Sequence, residues 1–119
     1  LIVDKVGILP ELYKYTKIAY VGGGFGKGVH STIEPLIYNN IVCYGPNIDL
    51  LDEAKEMNEK KCGFIINNGE EISQICWEQF TKNNCGKITK LEIQENIKKY
   101  IVEKEKSAEK IYQIIKKYV

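Results

Sequence analysis

The chain contains no arginine. All 17 of its basic residues are lysine, and with 16 acidic residues they leave a formal charge of +1. So even a balance gives no electrostatic basis for binding nucleic acid or an acidic membrane surface. Bidentate guanidinium clamps on phosphate are unavailable within these residues, and the wealth of Lys, Ile and Asn reads as an AT-rich coding bias. There is one histidine, His30, and the four cysteines at 43, 62, 76 and 85 contain no C-x-x-C pair. Neither a zinc site nor a disulfide framework is suggested, and no metal or cofactor is expected. No signal peptide and no apolar run near 18 residues is present, which fits reduced thiols in a cytoplasmic fold and puts any membrane attachment elsewhere. Internal repeats and low-complexity segments are also lacking.

What is present is one domain's worth of material, 119 residues with 44% hydrophobic content. The opening apolar run Leu1-Ile2-Val3-Asp4 reads as a short buried strand already in progress, so a longer protein with its missing part upstream is expected. After Gly7, a short helix is predicted around Leu9, Leu12 and Tyr13, then strands at Ile18 to Val21, Ile41 to Tyr44 and Phe64 to Ile66. Between them fall helices at Thr32 to Tyr38 and at Asp49 to Lys61, the second with Leu50, Leu51, Ala54 and Met57 on one face. A helix from Glu70 to about Lys82 turns Ile72, Ile75, Cys76 and Phe80 to one side, and a turn follows at Asn83 to Gly86. A capping box, Thr89 to Glu92, opens a helix through Leu91, Ile97 and Ile101; periodicity resumes from Ser107 through Ile111, Tyr112, Ile115 and Tyr118. Strands alternating with helices argue an α/β fold with a Rossmann-like parallel sheet over residues 1–86, followed by C-terminal helices over 87–119.

The focal stretch runs from Val21 to Glu34. A strand enters a loop in which Gly22, Gly23, Gly24, Gly26 and Gly28 surround Phe25 and Lys27, and a helix follows. Such loops expose backbone N–H groups where an anion can sit, and open α/β sheets bind ligands at the carboxyl ends of their strands. A phosphorylated ligand is the first expectation, although the glycines form neither a P-loop nor a G-x-G-x-x-G fingerprint. Ser31-Thr32-Ile33-Glu34 reads equally as a capping box, with Ser31 as N-cap, or as a ligand site in which Glu34 accepts from both hydroxyls of a ribose. His30 is placed to contact an anion. Gly45-Pro46-Asn47 closes the next strand at the same sheet edge, either lining the same crevice or serving as an ordinary turn. Backbone groups at Gly7, Ile8 and Leu9 are candidates to meet a base edge.

Val21-Gly-Gly-Gly-Phe-Gly-Lys-Gly-Val-His-Ser-Thr-Ile-Glu-Pro35 resembles the donor-site motif of the 3-deoxy-D-manno-octulosonic acid (Kdo) transferases of lipopolysaccharide synthesis. The glycine-rich form looks most like the Bacteroidetes version. The likeness extends to Asp4 to Leu9, Ile18 to Val21, and Gly45-Pro46-Asn47 with Glu53-Ala54 beyond. It implies the C-terminal, donor-binding domain of a two-domain GT-B glycosyltransferase that moves Kdo from CMP-Kdo to the lipid A precursor at the cytoplasmic face of the bacterial inner membrane. Acceptor and membrane would be met by the missing N-terminal domain. The resemblance also implies CMP contacts at Gly7, Ile8, Leu9, Ser31, Thr32, Ile33 and Glu34, with Gly23, Gly24, Lys27, His30 and Asn47 lining the donor site. The catalytic glutamate and a phosphate-contacting Pro-Arg segment would lie upstream, leaving the fragment alone inactive. Ser31 stands where the family often has Asn, Ile8 where many members have Glu, and Leu50 where a polar residue is usual.

Overall fold

The computed structural model describes residues 2–29, 31–81 and 89–118. Three parallel strands form the sheet in the order β1 (Ile18–Val21), β2 (Ile41–Tyr44), β3 (Gly63–Ile65), with Ile18 opposite Ile41 and Val42 opposite Gly63. Parallel neighbours need crossovers, which contain α2 (Ile33–Ile37) between β1 and β2 and α3 (Asp52–Glu59) between β2 and β3. Helix α1 (Leu9–Tyr13) precedes the sheet, while α4 (Gly69–Phe80) and α5 (Lys90–Tyr118) follow it. This is an α/β, Rossmann-like arrangement.

The central strand shows why the sheet forms here. Ile41, Val42, Cys43 and Tyr44 are all buried, as expected of a parallel strand covered on both faces, whose sequence is continuously apolar rather than alternating. Leu36 of α2, Ala54 and Met57 of α3, and Ile93, Ile97 and Tyr100 of α5 complete the core. The Tyr44 hydroxyl donates to the Ala54 carbonyl at 2.7 Å, which satisfies a polar atom inside that core.

Several sequence expectations are corrected. Residues 2–4 form no strand; among the described residues β1 pairs only with β2, and Ile2 is almost fully exposed, so Ile2 and Val3, without a ladder partner, stay irregular. Leu1 lies outside the described residues. Helix α3 starts at Asp52, three residues later than expected, and Leu50 is 92% exposed rather than part of its buried face. In α4, Ile72, Ile75 and Cys76 are half-buried but Phe80 points out. The final helix has no pause: its 29 residues run continuously, because the Lys/Glu run that interrupts the apolar periodicity is itself made of good helix formers. It buries Ile93, Ile97 and Tyr100 and leaves Leu91 exposed. The capping box forms as expected, with Thr89 N–H donating to Glu92 at 2.6 Å and Glu92 N–H to Thr89 Oγ1 at 3.2 Å. The turn expected at Asn83 to Gly86, together with Cys85 and His30, falls outside the described residues.

Candidate functional site

β1 and β2 end side by side at Val21 and Tyr44, so the glycine loop and the Gly45-Pro46-Asn47 turn leave the same edge of the sheet together. They are joined at several points. Asn47 N–H donates to the Gly24 carbonyl at 2.9 Å, the Asn47 side-chain amide to the Gly26 carbonyl at 2.6 Å, and Val29 N–H to the Asn47 carbonyl at 3.3 Å. Gly24 and Gly45 lie in backbone contact, with no room for a Cβ on either. Gly23 and Gly28 take φ values of +95° and +118°, where a side chain would be strained. Much of the loop's glycine content therefore serves close packing and turning.

That finding changes the expected chemistry of the loop. The N–H groups of Gly26 and Gly28 both donate to the Gly23 carbonyl at 3.0 Å, and that of Val29 is taken by Asn47. These three amides are spent on the loop's own shape and do not form a cradle for a phosphate. What the loop builds instead is a cleft of about 480 Å³. Backbone at Gly23 and Gly28, with Lys27 and Asn47, forms one part of its lining; Val29, Ile48, Leu50 and Leu51 form an apolar wall. The sequence points to Gly23, Lys27 and Asn47, and to Leu50 as a departure from the family, but not to Val29, Ile48 and Leu51, each of which also reads as ordinary core.

The Ser31-Thr32-Ile33-Glu34 segment enters α2 beside this cleft but does not line it. The expected capping box is absent. Helix α2 begins at Ile33, so the N-cap is Thr32 rather than Ser31, and no side-chain cap bond is made. One residue's shift places Glu34 second in the helix, out of register for the reciprocal bond. Glu34 is exposed, and among the described residues no hydrogen bond or ion pair holds its carboxylate. Ser31 is exposed, Ile33 half-buried and Thr32 fully buried. Thr32 Oγ1 has no hydrogen-bond partner among the described residues.

Helix α1 is brought to α2 by a residue that sequence reasoning treated only as a helix end. Asn40, fully buried, donates through its amide nitrogen to the Tyr13 carbonyl at 2.9 Å and accepts from the Thr16 hydroxyl at 2.6 Å. The rings of Tyr13 and Tyr38 then sit 6.2 Å apart. Burial, and secondarily the Glu34 carboxylate, raise the Tyr13 phenol above its usual pKa. Gly7 (φ +89°), Ile8 and Leu9 open α1, with the Ile8 carbonyl accepting from Glu11 and Leu12 at 3.1 and 3.3 Å. That carbonyl is thus committed to the helix. A polar Asn directly before an all-apolar strand was the available signal for Asn40.

Two of the cysteines, Cys43 and Cys62, are buried. Burial pushes the Cys43 thiol up to about 12 and that of Cys62 up to about 11, so both stay protonated at neutral pH. Among the described residues no helix is long and apolar enough to cross a membrane.

A parallel α/β sheet carrying a glycine loop and a concave cleft at its strands' carboxyl ends is consistent with a Rossmann-like glycosyltransferase domain. By sequence the chain is homologous to the C-terminal region of the 3-deoxy-D-manno-octulosonic acid transferase family. It is 37% identical over 111 residues to the 3-deoxy-D-manno-octulosonic acid transferase of Aquifex aeolicus, covering 92% of this chain and 27% of that protein. With the enzyme of the same name from Rickettsia bellii it shares 28% identity over 118 residues, 98% of this chain and 28% of the relative. It is also 40% identical over 74 residues to a bifunctional glycosyltransferase/methyltransferase of Fusobacterium nucleatum, 60% of this chain and 12% of that one. The chain thus spans roughly a quarter of the transferases it matches. No protein-family profile and no solved structure matches it.

Proposed function

We propose that this chain is the donor-nucleotide-binding part of a Kdo transferase, an enzyme of the GT-B type. Its parent would move Kdo from CMP-Kdo to the lipid A precursor at the cytoplasmic face of the inner membrane. The observation that carries this reading is the exposed, unpaired Glu34 carboxylate one turn from a glycine loop at the sheet's carboxyl edge. A carboxylate is acceptor-only and suits the two hydroxyls of a ribose. Gly7, Ile8 and Leu9, held near α2 through Asn40, supply backbone for the base, and Ser31, Thr32 and Ile33 flank the nucleotide. The names of the relatives from Aquifex and Rickettsia support Kdo as the transferred group, whereas the Fusobacterium relative supports only glycosyl transfer. In the metal-independent, inverting chemistry of this proposal, a glutamate outside these residues takes the acceptor hydroxyl's proton while CMP leaves.

Calorimetric titration of CMP into the wild-type chain and Glu34→Gln tests the proposal. Loss of the paired ribose contact is expected to cost roughly 1–3 kcal/mol. Equal affinities with the fold intact would remove Glu34 from the site, and a preference for UMP over CMP would redirect the reading to another GT-B transferase or epimerase.

A further inference from the structure

The cleft beside the glycine loop has an unusual charge pattern. Among the described residues Lys27 is the only charged side chain in its lining, no carboxylate lines it, and Lys27 makes no ion pair. Val29, Ile48 and Leu51 share that lining. A single uncompensated cation over an apolar wall attracts one negative charge attached to a carbon-rich body. Phosphate fits this arrangement poorly, since the N–H groups of Gly26, Gly28 and Val29 are already used within the loop and its turn.

Position supplies the second step. Val29 lines the cleft, and Ser31, two residues on, opens the segment that leads to Glu34. On the nucleotide reading, a ribose held at Glu34 has this neighbouring cleft available for the sugar. We propose that Lys27 recognises a carboxylate on the transferred sugar, with Val29, Ile48 and Leu51 packing under the sugar's carbon face. This rests on the nucleotide reading given above and makes the site selective for an acidic sugar over a neutral one. It agrees with the acid in the relatives' name.

The test compares three probes, CMP, CMP-Kdo and the carboxamide analogue of CMP-Kdo, on the wild-type chain, Lys27→Met and Lys27→Arg. Lys27 is exposed, so both variants are expected to fold, which circular dichroism checks. Wild type is expected to bind the acidic donor about tenfold more tightly than the carboxamide, the value of one charge-assisted contact. Lys27→Met should erase that difference while leaving CMP affinity within twofold, and Lys27→Arg should retain most of it. A parallel loss for CMP and donor would overturn the proposal by placing the lysine on the phosphate. Unchanged donor affinity in Lys27→Met, with CMP still bound, would overturn it while sparing the nucleotide reading. A wild-type chain that binds none of the probes would overturn both.

Discussion

Gly24 and Gly45 meet backbone to backbone: a Cβ added to Gly24 would lie 2.4 Å from the Cα and the nitrogen of Gly45, and one added to Gly45 would lie 2.5 Å from the Gly24 carbonyl carbon. The contact fixes the separation of the two loops that form the cleft. Neither glycine has a positive φ, so the constraint is one of space alone.

Gly45→Ala is accordingly expected to destabilise the chain by about 1–3 kcal/mol, the range for overpacking against atoms that cannot retreat. Urea unfolding followed by circular dichroism measures it. Gly22→Ala, whose Cβ would meet nothing within 4 Å, is the control and is expected to cost much less. Equal effects would mean that the two loops do not touch in solution.

Asn40→Ala removes a buried amide that closes α1 onto α2. The Tyr13 carbonyl and the Thr16 hydroxyl each lose a bond to Asn40 while keeping the one between them at 3.2 Å, and a loss of roughly 1–3 kcal/mol is expected for the two bonds together. Because α1 carries Gly7 to Leu9, CMP affinity is expected to fall as well, even though Asn40 is buried away from any ligand. A destabilised variant with unchanged CMP affinity would separate α1 from the nucleotide site.

The attachment of α5 to α3 depends on pH. Glu56 forms an ion pair with Lys104 and accepts from the Tyr100 hydroxyl at 3.1 Å. The Lys104 bond is the main cause holding the Glu56 carboxyl below its usual value of 4.5, with Tyr100 and Lys60 adding to it. A carboxylate whose folded pKa is depressed stabilises the fold above its unfolded pKa, and that contribution fades as pH falls through the depressed value. Stability is therefore expected to decline below about pH 4.5 more steeply in wild type than in Glu56→Gln. The pair is partly exposed, so the difference should stay under about 1 kcal/mol and shrink in 1 M salt. Melting curves at a series of pH values, with parallel profiles as the contrary result, decide it.

Residues 102–118 of α5 are exposed along their whole length, including Ile111, Tyr112, Ile114, Ile115 and Tyr118. The helical residues beyond Lys104, which with Glu103 makes the last ion pairs to the rest of the fold among the described residues, are marginal in water. Hydrogen exchange is expected to be fast there and slow at Ile93 to Tyr100, which pack on the sheet. Uniform protection along the helix, together with a concentration-dependent sedimentation coefficient, would show instead that the apolar stripe is covered by another copy.

On the proposed function, the chain incubated with CMP-Kdo and lipid A precursor releases CMP no faster than the uncatalysed rate. Holding donor, acceptor and base together supplies about 7–11 kcal/mol of barrier reduction, and these residues hold only the donor. Turnover above background would require a base among them.

The sequence by itself determined most of the elements, though not the strand expected at its start. Ile18 to Val21 and Ile41 to Tyr44 are short apolar runs bounded by turn residues, and both form strands with the bounds read from the sequence. Thr89 and Glu92 cap α5 as their spacing dictates, because a capping box is closed within four residues. The glycine motif likewise disclosed its family locally. What only the tertiary structure decided is how surfaces meet. Gly24 needs to be glycine because Gly45, 21 residues away, lies against it, and Asn40 matters because its partners are Tyr13 and Thr16. Leu50 and Phe80 match the apolar pattern of buried positions yet are exposed, since periodicity fixes a face but not whether anything covers it. Whether Glu34 caps its own helix depended on a one-residue shift in where α2 begins. A shift of one residue is finer than local propensity specifies, and α2 as it stands buries Pro35 and Leu36.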